Sequence, residues 1–118
     1  MIKSYKDLDV WKKSIELVKE VYILVKYLPK EETYALSDQM RRSAVSIPSN
    51  IAEGSGRNGT KEYLQFLYIA LGSLCELETQ IIIAKEIGYI NTIEKLEDNM
   101  TIIKKMINSM ITSLKAKL

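Results

Sequence analysis

Four stretches of the chain place apolar residues at spacings of three and four, which is typical of a helix that buries one side. In the first stretch a helix begins near Asp7 or Asp9 and ends at Pro29, because a proline pushes the residue before it out of helical geometry. Its predicted inner stripe is Trp11, Ile15, Val18, Tyr22 and Val25, widened by Val21, Leu24 and Leu28.

The second stretch predicts a helix that begins near Glu31 or Glu32, since acidic residues suit a helix N-terminus. Pro48 lies inside it, removes one main-chain hydrogen bond and crowds the preceding turn. We expect a kink at Pro48, or a break with Ser46 capping a short second piece. Small residues around Pro48 would let another backbone approach closely. The predicted inner face is Leu36, Met40, Ala44, Ile47 and Ile51.

The third stretch has the most regular pattern in the chain. A loop at residues 54–59 precedes it, Thr60 is the predicted N-cap, and Gly88 is predicted to cap its end. Further apolar residues lie outside its heptad, as expected of a central helix or of one shared with a neighbouring subunit. The heptad consists of Tyr63, Leu67, Ala70, Leu74, Leu77, Ile81 and Ala84; the additional apolar residues are Leu64, Phe66, Leu71, Cys75 and Ile82.

The fourth stretch opens at Asn91 or Thr92 and also keeps a heptad. Short connections force sequential helices to run antiparallel, and 118 residues suit one domain. The sequence thus predicts an all-α fold, an antiparallel up-down-up-down four-helix bundle with helix two kinked at Pro48, in one domain spanning residues 1–118. The heptad of helix four is Ile93, Leu96, Met100, Ile103, Ile107, Met110 and Leu114.

Cysteine usage and the apolar runs suggest where the protein resides. The single Cys75 excludes an intramolecular disulfide and a cysteine-based metal site. No uninterrupted apolar run reaches the length of about 18 residues that a membrane span needs, and the N-terminus lacks a signal-like apolar stretch. We therefore expect a cytoplasmic protein that binds no membrane. Beside Leu74, Cys75 is predicted to pack as a small hydrophobic residue.

Histidine is absent, which removes several kinds of catalytic and metal site. Di-iron bundles need Glu-x-x-His pairs, and helical ribonucleases of the Arg and His type need the imidazole. Glu53, Glu76 and Glu78 are predicted to be surface or structural carboxylates. Residues 54–61 approach a phosphate-binding loop, but its last two residues are reversed and a helix, not a strand, precedes it. We predict no catalytic residue, no metal and no cofactor.

Charge gives the remaining indication of function. The net charge is +2; the first 30 residues hold seven Lys against four acids, and residues 91–118 hold five Lys against three. Lys12, Lys19 and Lys26 repeat along one helix face, but interleaved acids favour a solvated face over a nucleic-acid stripe. The candidates for contact with an anionic partner are Arg41, Arg42, Arg57 and Lys61.

A structural alternative is open for these arginines. Adjacent arginines on a helix point about 100 degrees apart, so one can face the protein while the other faces solvent. An arginine bonded to Glu53 or Glu78, within the bundle or across subunits, would be a structural residue rather than a binding one.

Two long motifs carry a family resemblance. They are QMRRSAVSIPSNIAEG at residues 39–54 and FLYIALGSLCELE at residues 66–78, with DVW at residues 9–11. Over nearly the whole chain the sequence closely resembles the bacterial "four helix bundle protein" family, also called 23S rRNA intervening-sequence proteins. The resemblance implies the bundle fold and a homopentameric ring. Some family members are encoded in insertions within large ribosomal RNA genes.

A related branch consists of the accessory proteins of diversity-generating retroelements, which bind nucleic acid and a reverse transcriptase. Those proteins are strongly basic, whereas this chain is nearly neutral. We expect a non-enzymatic, homo-oligomeric, pentameric adaptor that binds structured RNA or DNA. The alternative is a protein-interaction scaffold with no nucleic-acid role, whose ring presents grooves to a partner protein. The excess apolar surface of helix three favours it, although subunit contacts would also use that surface.

Overall fold

The computed structural model describes residues 4–118, which form four long helices joined by short connections. The helices are α1 (Asp9–Leu24), α2 (Leu36–Ser55), α3 (Thr60–Ile87) and α4 (Glu94–Lys115). Short 3-10 helices occupy Tyr5–Asp7, Val25–Tyr27 and Lys30–Glu32, and no strand occurs within residues 4–118. The predicted all-α four-helix fold is confirmed.

Each long helix packs against two others. α1 packs on α2 and α4, and α3 packs on the same two helices, with the most extensive packing between α2 and α3. The resulting bundle measures 46 × 25 × 22 Å. Its four helices surround a single cluster of buried apolar side chains.

Contacts at the two ends of α2 and α3 define the direction of this pair. Tyr89, just after α3, donates a 2.8 Å hydrogen bond to Glu32, just before α2, and this bond raises the pKa of the Tyr89 hydroxyl. At the other end, Gly54 of α2 lies against Phe66 of α3. Residue numbers rise along α2 as they fall along α3, the arrangement of an antiparallel pair. The up-down-up-down order of all four helices stays a prediction, with which these contacts agree.

The predicted core of α2 and α3 matches the structure closely. Apart from the half-buried Leu36 and Tyr63, every predicted inner residue of these two helices is completely buried. These buried residues are Met40, Ala44, Ile47 and Ile51 of α2 and Leu67, Ala70, Leu74, Leu77, Ile81 and Ala84 of α3.

The predicted inner stripe of the first helix is correct at Val21, Val25 and Leu28, which are buried, but it is wrong by one position in the preceding turns. Trp11 is half-buried and Tyr22 is exposed, whereas Ser14 lies in the core. The Ser14 hydroxyl donates a 2.7 Å hydrogen bond to the Val10 carbonyl, so this polar group is satisfied without water. The prediction included Trp11 and Tyr22 because their side chains are large and apolar, but these side chains lie at the border of the core. The buried face is Val10, Ser14, Leu17, Val21 and Val25.

Several helix boundaries also differ from the prediction. α2 begins at Leu36, because Glu32 belongs to a separate 3-10 helix. The Glu32 carboxylate accepts a 3.3 Å hydrogen bond from the main-chain amide of Leu36. Thr60 is the first residue of α3, not its N-cap, and α4 begins at Glu94. The cap at Gly88 is confirmed: its φ of 98° is left-handed, a conformation that glycine adopts without strain.

Helix α2 continues through Pro48, so the predicted alternative of a break is wrong. Ser46 does not cap a second piece. Its hydroxyl lies 2.7 Å from that of Ser73 on α3 and accepts a 2.9 Å hydrogen bond from the Asn50 amide. The buried Pro48 thus lies beside a polar contact that joins the two helices. The kink stays a prediction.

The C-terminal end of α2 touches α3 at Gly54. A Cβ at this position would lie 2.8 Å from the Cβ of Phe66 and 2.9 Å from the Cδ1 of Tyr63. Real Cβ atoms do not approach other atoms so closely. Gly54 and Ser55 belong to α2, so the loop predicted at residues 54–59 is limited to residues 56–59.

We predict that Gly54→Ala lowers the free energy of unfolding by about 1 to 3 kcal/mol, because the added methyl overpacks the contact with α3. Gly56→Ala is the matched control: its Cβ would lie 3.6 Å from the nearest atom and its φ of −86° suits alanine. We expect this control to change stability by less than about 1 kcal/mol. Urea unfolding followed by circular dichroism measures both, and equal losses would contradict the role given to Gly54.

Candidate functional site

The four predicted binding residues lie towards opposite ends of the bundle. Arg41 and Arg42 belong to the second turn of α2, whereas Arg57 follows the end of α2 and Lys61 lies in the first turn of α3. Sixteen residues separate Arg41 from Arg57, a distance of about 24 Å along a helix. The structure therefore divides the predicted set into two pairs.

The first pair is held by the protein itself. The Arg41 Nη2 donates a 3.0 Å hydrogen bond to the Thr33 carbonyl and lies 3.9 Å from Asp38. The Arg42 Nε donates a 2.9 Å hydrogen bond to the same carboxylate. The side chain of Arg41 is 25% exposed and that of Arg42 is 80% exposed. Arg41 thus ties the segment before α2 to the helix, and Arg42 points into solvent.

The second pair differs in its contacts. The guanidinium of Arg57 lies 4.9 Å from the centre of the Phe66 ring and 3.5 Å from the Glu53 carboxylate. The Arg57–Glu53 ion pair is one of the structural alternatives that the sequence suggested. Lys61 is exposed and has no ion pair within the described part of the chain.

Glu78, the other carboxylate suggested as an arginine partner, binds a lysine instead. Lys104 of α4 donates a 2.7 Å hydrogen bond to Glu78, which raises the pKa of the Lys104 ammonium. This pair joins α3 to α4. Within residues 4–118, no group of three or more His, Cys, Asp or Glu side chains is placed to hold a metal ion.

Helix α3 carries a second line of residues on the side away from the core, which we call the outer face of α3. Its members are exposed and follow one another at heptad-like spacing, and the exposed Glu76 is the charged residue that lies among them. Its four large apolar side chains, Tyr68, Ile69, Ile82 and Ile83, are between 42% and 49% exposed. The outer face of α3 consists of Gln65, Tyr68, Ile69, Gly72, Cys75, Thr79, Ile82 and Ile83.

Part of this surface was visible in the sequence. Cys75 and Ile82 were recognised as apolar residues outside the heptad, but the prediction that Cys75 packs inside is wrong, because Cys75 is exposed. Tyr68, Ile69 and Ile83 were missed. The sequence pattern that indicates all of these residues is the same: apolar residues continue around α3 beyond the width that one core-facing stripe needs.

The apolar character of α3 also meets a test of length and composition for a membrane span. Its 28 residues, Thr60–Ile87, include an 18-residue window with a mean hydropathy of 1.5, of which 39% is buried inside the bundle. A core helix of a bundle passes the same test. The expectations of a cytoplasmic location and of no membrane contact stay predictions.

Comparison with known proteins identifies relatives of the whole bundle. The family model described as 23S rRNA-intervening sequence protein matches residues 6–109. A crystal structure of a protein with unknown function, from the S23 ribosomal protein family of Bacteroides thetaiotaomicron, is 30% identical with a TM-score of 0.79. The alignment covers 86% of this chain and 97% of that one. No curated protein matches the chain.

The contacts of the two adjacent arginines predict different effects on stability. Arg41→Gln should lower the free energy of unfolding by about 1 kcal/mol, because it removes a charge-assisted hydrogen bond to a main-chain carbonyl. Arg42→Gln should cost less than about 0.5 kcal/mol, since exposed ion pairs contribute little. Urea unfolding at neutral pH and 0.15 M NaCl compares the two variants. A larger loss for Arg42→Gln would contradict the structural role of Arg41.

Proposed function

Because the chain belongs to the family of 23S rRNA-intervening sequence proteins, we propose that it is a non-enzymatic binding protein that forms a homo-oligomeric ring, a pentamer, and engages structured RNA or DNA. The outer face of α3 is the observation that carries the self-association in this proposal. No catalytic role is assigned to any residue. A chain without histidine lacks the side chain that most often serves as general acid or base near neutral pH.

The outer face of α3 has the properties of a helix-packing surface. Its spacing is that of residues that meet a second helix in a coiled coil or bundle. Apolar surface left in water costs roughly 25 cal/mol per Å², so covering four large apolar side chains favours association. A ring of five uses a heterologous contact, in which this face meets a different surface of the next copy. Self-association is therefore the use that we assign to this face.

The ligand is proposed from chemistry and from the family. Exposed cations without an ion pair, such as Lys61, suit the phosphates of a nucleic acid, whose binding releases condensed counterions. The family description names 23S rRNA, which makes structured RNA the first ligand to test. A protein-interaction scaffold is the second candidate function, and the same outer face of α3 favours it, since an amphipathic helix of another protein would fit there.

We predict that Ile69→Glu and Ile82→Glu each reduce the mass measured by light scattering in line with size-exclusion chromatography, because a carboxylate would be buried in the subunit contact. Ile102→Glu on α4 is the control, as Ile102 is exposed to a similar degree outside this face. We expect the control to keep the mass of the wild-type assembly. A monomeric wild-type chain would remove the ring and favour the scaffold.

We also predict that the wild-type protein retains a 23S rRNA fragment on a nitrocellulose filter at 0.05 M NaCl, and that retention falls steeply between 0.05 and 0.2 M. For six phosphate contacts the loss in affinity would be on the order of a thousandfold. A chloride-to-glutamate exchange at constant cation concentration controls for anion effects. Absence of retention at the lowest salt, for both RNA and duplex DNA, would remove the nucleic-acid part of the proposal.

A further inference from the structure

The fold brings the start of α1 and the second half of α4 together at one end of the bundle. A surface groove there is lined by Leu8, Asp9 and Val10 from the start of α1 and by Lys105 and Met106, among others, from α4. We call this region the terminal end; it comprises residues 4–15, 52–68 and 105–118. The opposite region, the connector end, comprises residues 16–42 and 75–98.

Contacts of α3 and α4 support this assignment. Close to the C-terminus, the Lys115 ammonium lies 5.4 Å from the centre of the Tyr68 ring, which belongs to the first half of α3. The side-chain amide of Asn99, in the first half of α4, donates a 2.8 Å hydrogen bond to Glu20 of the connector end. Positions early in α1 thus lie beside positions late in α4, and positions late in α1 lie beside the start of α4.

Charge is distributed unevenly between the two ends. The terminal end holds eight Lys or Arg against four acids, whereas the connector end holds seven against ten, leaving aside the Lys104–Glu78 pair between them. The acids of the terminal end are Asp7, Asp9, Glu53 and Glu62. Its cations are Lys6, Lys12, Lys13, Arg57, Lys61, Lys105, Lys115 and Lys117.

A polyanion that approaches one end responds to the charge of that end. The bundle is 46 Å long, whereas the Debye length at physiological salt is about 8 Å. Most acids of the connector end are therefore screened from a ligand at the terminal end; Glu16, four residues from Lys12 on α1, and Glu78, bonded to Lys104, lie at the border. The small net charge of the chain conceals one basic and one acidic region.

The cations of the terminal end are also free to act on a partner. Seven of its eight cations are exposed and make no ion pair within residues 4–118. One of the seven, Lys115, lies over the Tyr68 ring, which leaves six without either contact, and residues 99–118 contain no acid. In contrast, Arg41, Arg42 and Lys19 at the connector end already pair with carboxylates. A ligand at the terminal end would have fewer existing ion pairs to break. The six are Lys6, Lys12, Lys13, Lys61, Lys105 and Lys117.

The pattern of the terminal end suits phosphates better than a protein surface. A protein interface has an apolar centre with polar residues at its rim, but the exposed large apolar side chains lie mainly on the outer face of α3 and at the connector end. Contacts to a nucleic-acid backbone need scattered positive charge without an apolar centre. The spread of lysines over α1, α3 and α4 provides this.

We propose that structured nucleic acid binds across the terminal end, its phosphates contacting Lys12, Lys61 and Lys105, and that Arg41 and Arg42 take no part. This inference rests on the proposed function and adds the surface to it. In a cyclic ring, rotation places every terminal end in an equivalent position, at the same height along the ring axis. An oligomer thus presents the basic ends of all its subunits together.

The test compares two triple variants that lose the same charge. Lys12→Gln with Lys61→Gln and Lys105→Gln changes the terminal end, and Lys26→Gln with Lys85→Gln and Lys95→Gln changes the connector end at exposed lysines. Fluorescence anisotropy with a labelled RNA hairpin, and with a DNA duplex of matched length, gives Kd at several salt concentrations.

We expect the terminal-end variant to raise Kd at 0.1 M NaCl by about a thousandfold, since each of the three lost phosphate contacts costs on the order of tenfold there. The slope of log K against log salt should fall in magnitude by about three for each subunit that contacts the ligand. The connector-end variant should stay within about threefold of wild type.

Other results are equally decisive. Equal weakening by both variants, or a stronger effect of the connector-end variant, overturns the inference and leaves the proposed function standing. A loss of wild-type mass by the terminal-end variant in light scattering would assign this end to contacts between copies, which also overturns it. If wild-type protein binds neither probe at 0.05 M NaCl, the nucleic-acid part of the proposed function fails and the inference with it. Lys13→Gln with Lys117→Gln repeats the comparison should the triple variant misfold.

Discussion

The close packing of α2 against α3 is the contact on which the rest of the structure depends. It requires small residues: Gly54 lets Phe66 approach at one end, and Ser46 meets Ser73 near the middle. The hydroxyl groups of Ser46 and Ser73 form a hydrogen bond with each other, so the two backbones approach closely without leaving these polar atoms unsatisfied. Because α2 and α4 cover α3 on two sides, the third side of this strongly apolar helix faces outward.

How much of this fold the sequence could predict depended on the width of each apolar stripe. In α2 the core positions are separated from solvent positions by small or polar residues, so periodicity alone found them. In α3 the regular heptad identified the core, although apolar residues continue around the helix. In α1 the predicted stripe included the large, half-buried Trp11 and left out Ser14, because serine is polar. In α4 the heptad held until its last turns, where Ile111 is buried and Met110 only half-buried. A straight helix has 3.6 residues per turn, so a strict seven-residue repeat drifts by about 20° per heptad.

The candidate binding surface was less accessible to sequence analysis. Arg41 and Arg42 were conspicuous as neighbours, yet their common partner Asp38 lies only three and four residues earlier, and the geometry alone shows both ion pairs. The lysines of the terminal end come from the first and last parts of the chain, and their proximity exists only in the fold. Net charge adds all residues together and therefore cancels a basic end against an acidic one.

The two surfaces assigned here are largely separate, which matters for how they would act together. They adjoin where Lys115 lies over Tyr68 at the edge of the outer face of α3. A single terminal end provides few phosphate contacts, so one subunit alone would bind weakly at physiological salt. Association through the outer face of α3 would hold several such ends at high effective concentration around one ligand. Self-association and nucleic-acid binding are therefore coupled, because association of the subunits raises the affinity for nucleic acid above that of a single subunit.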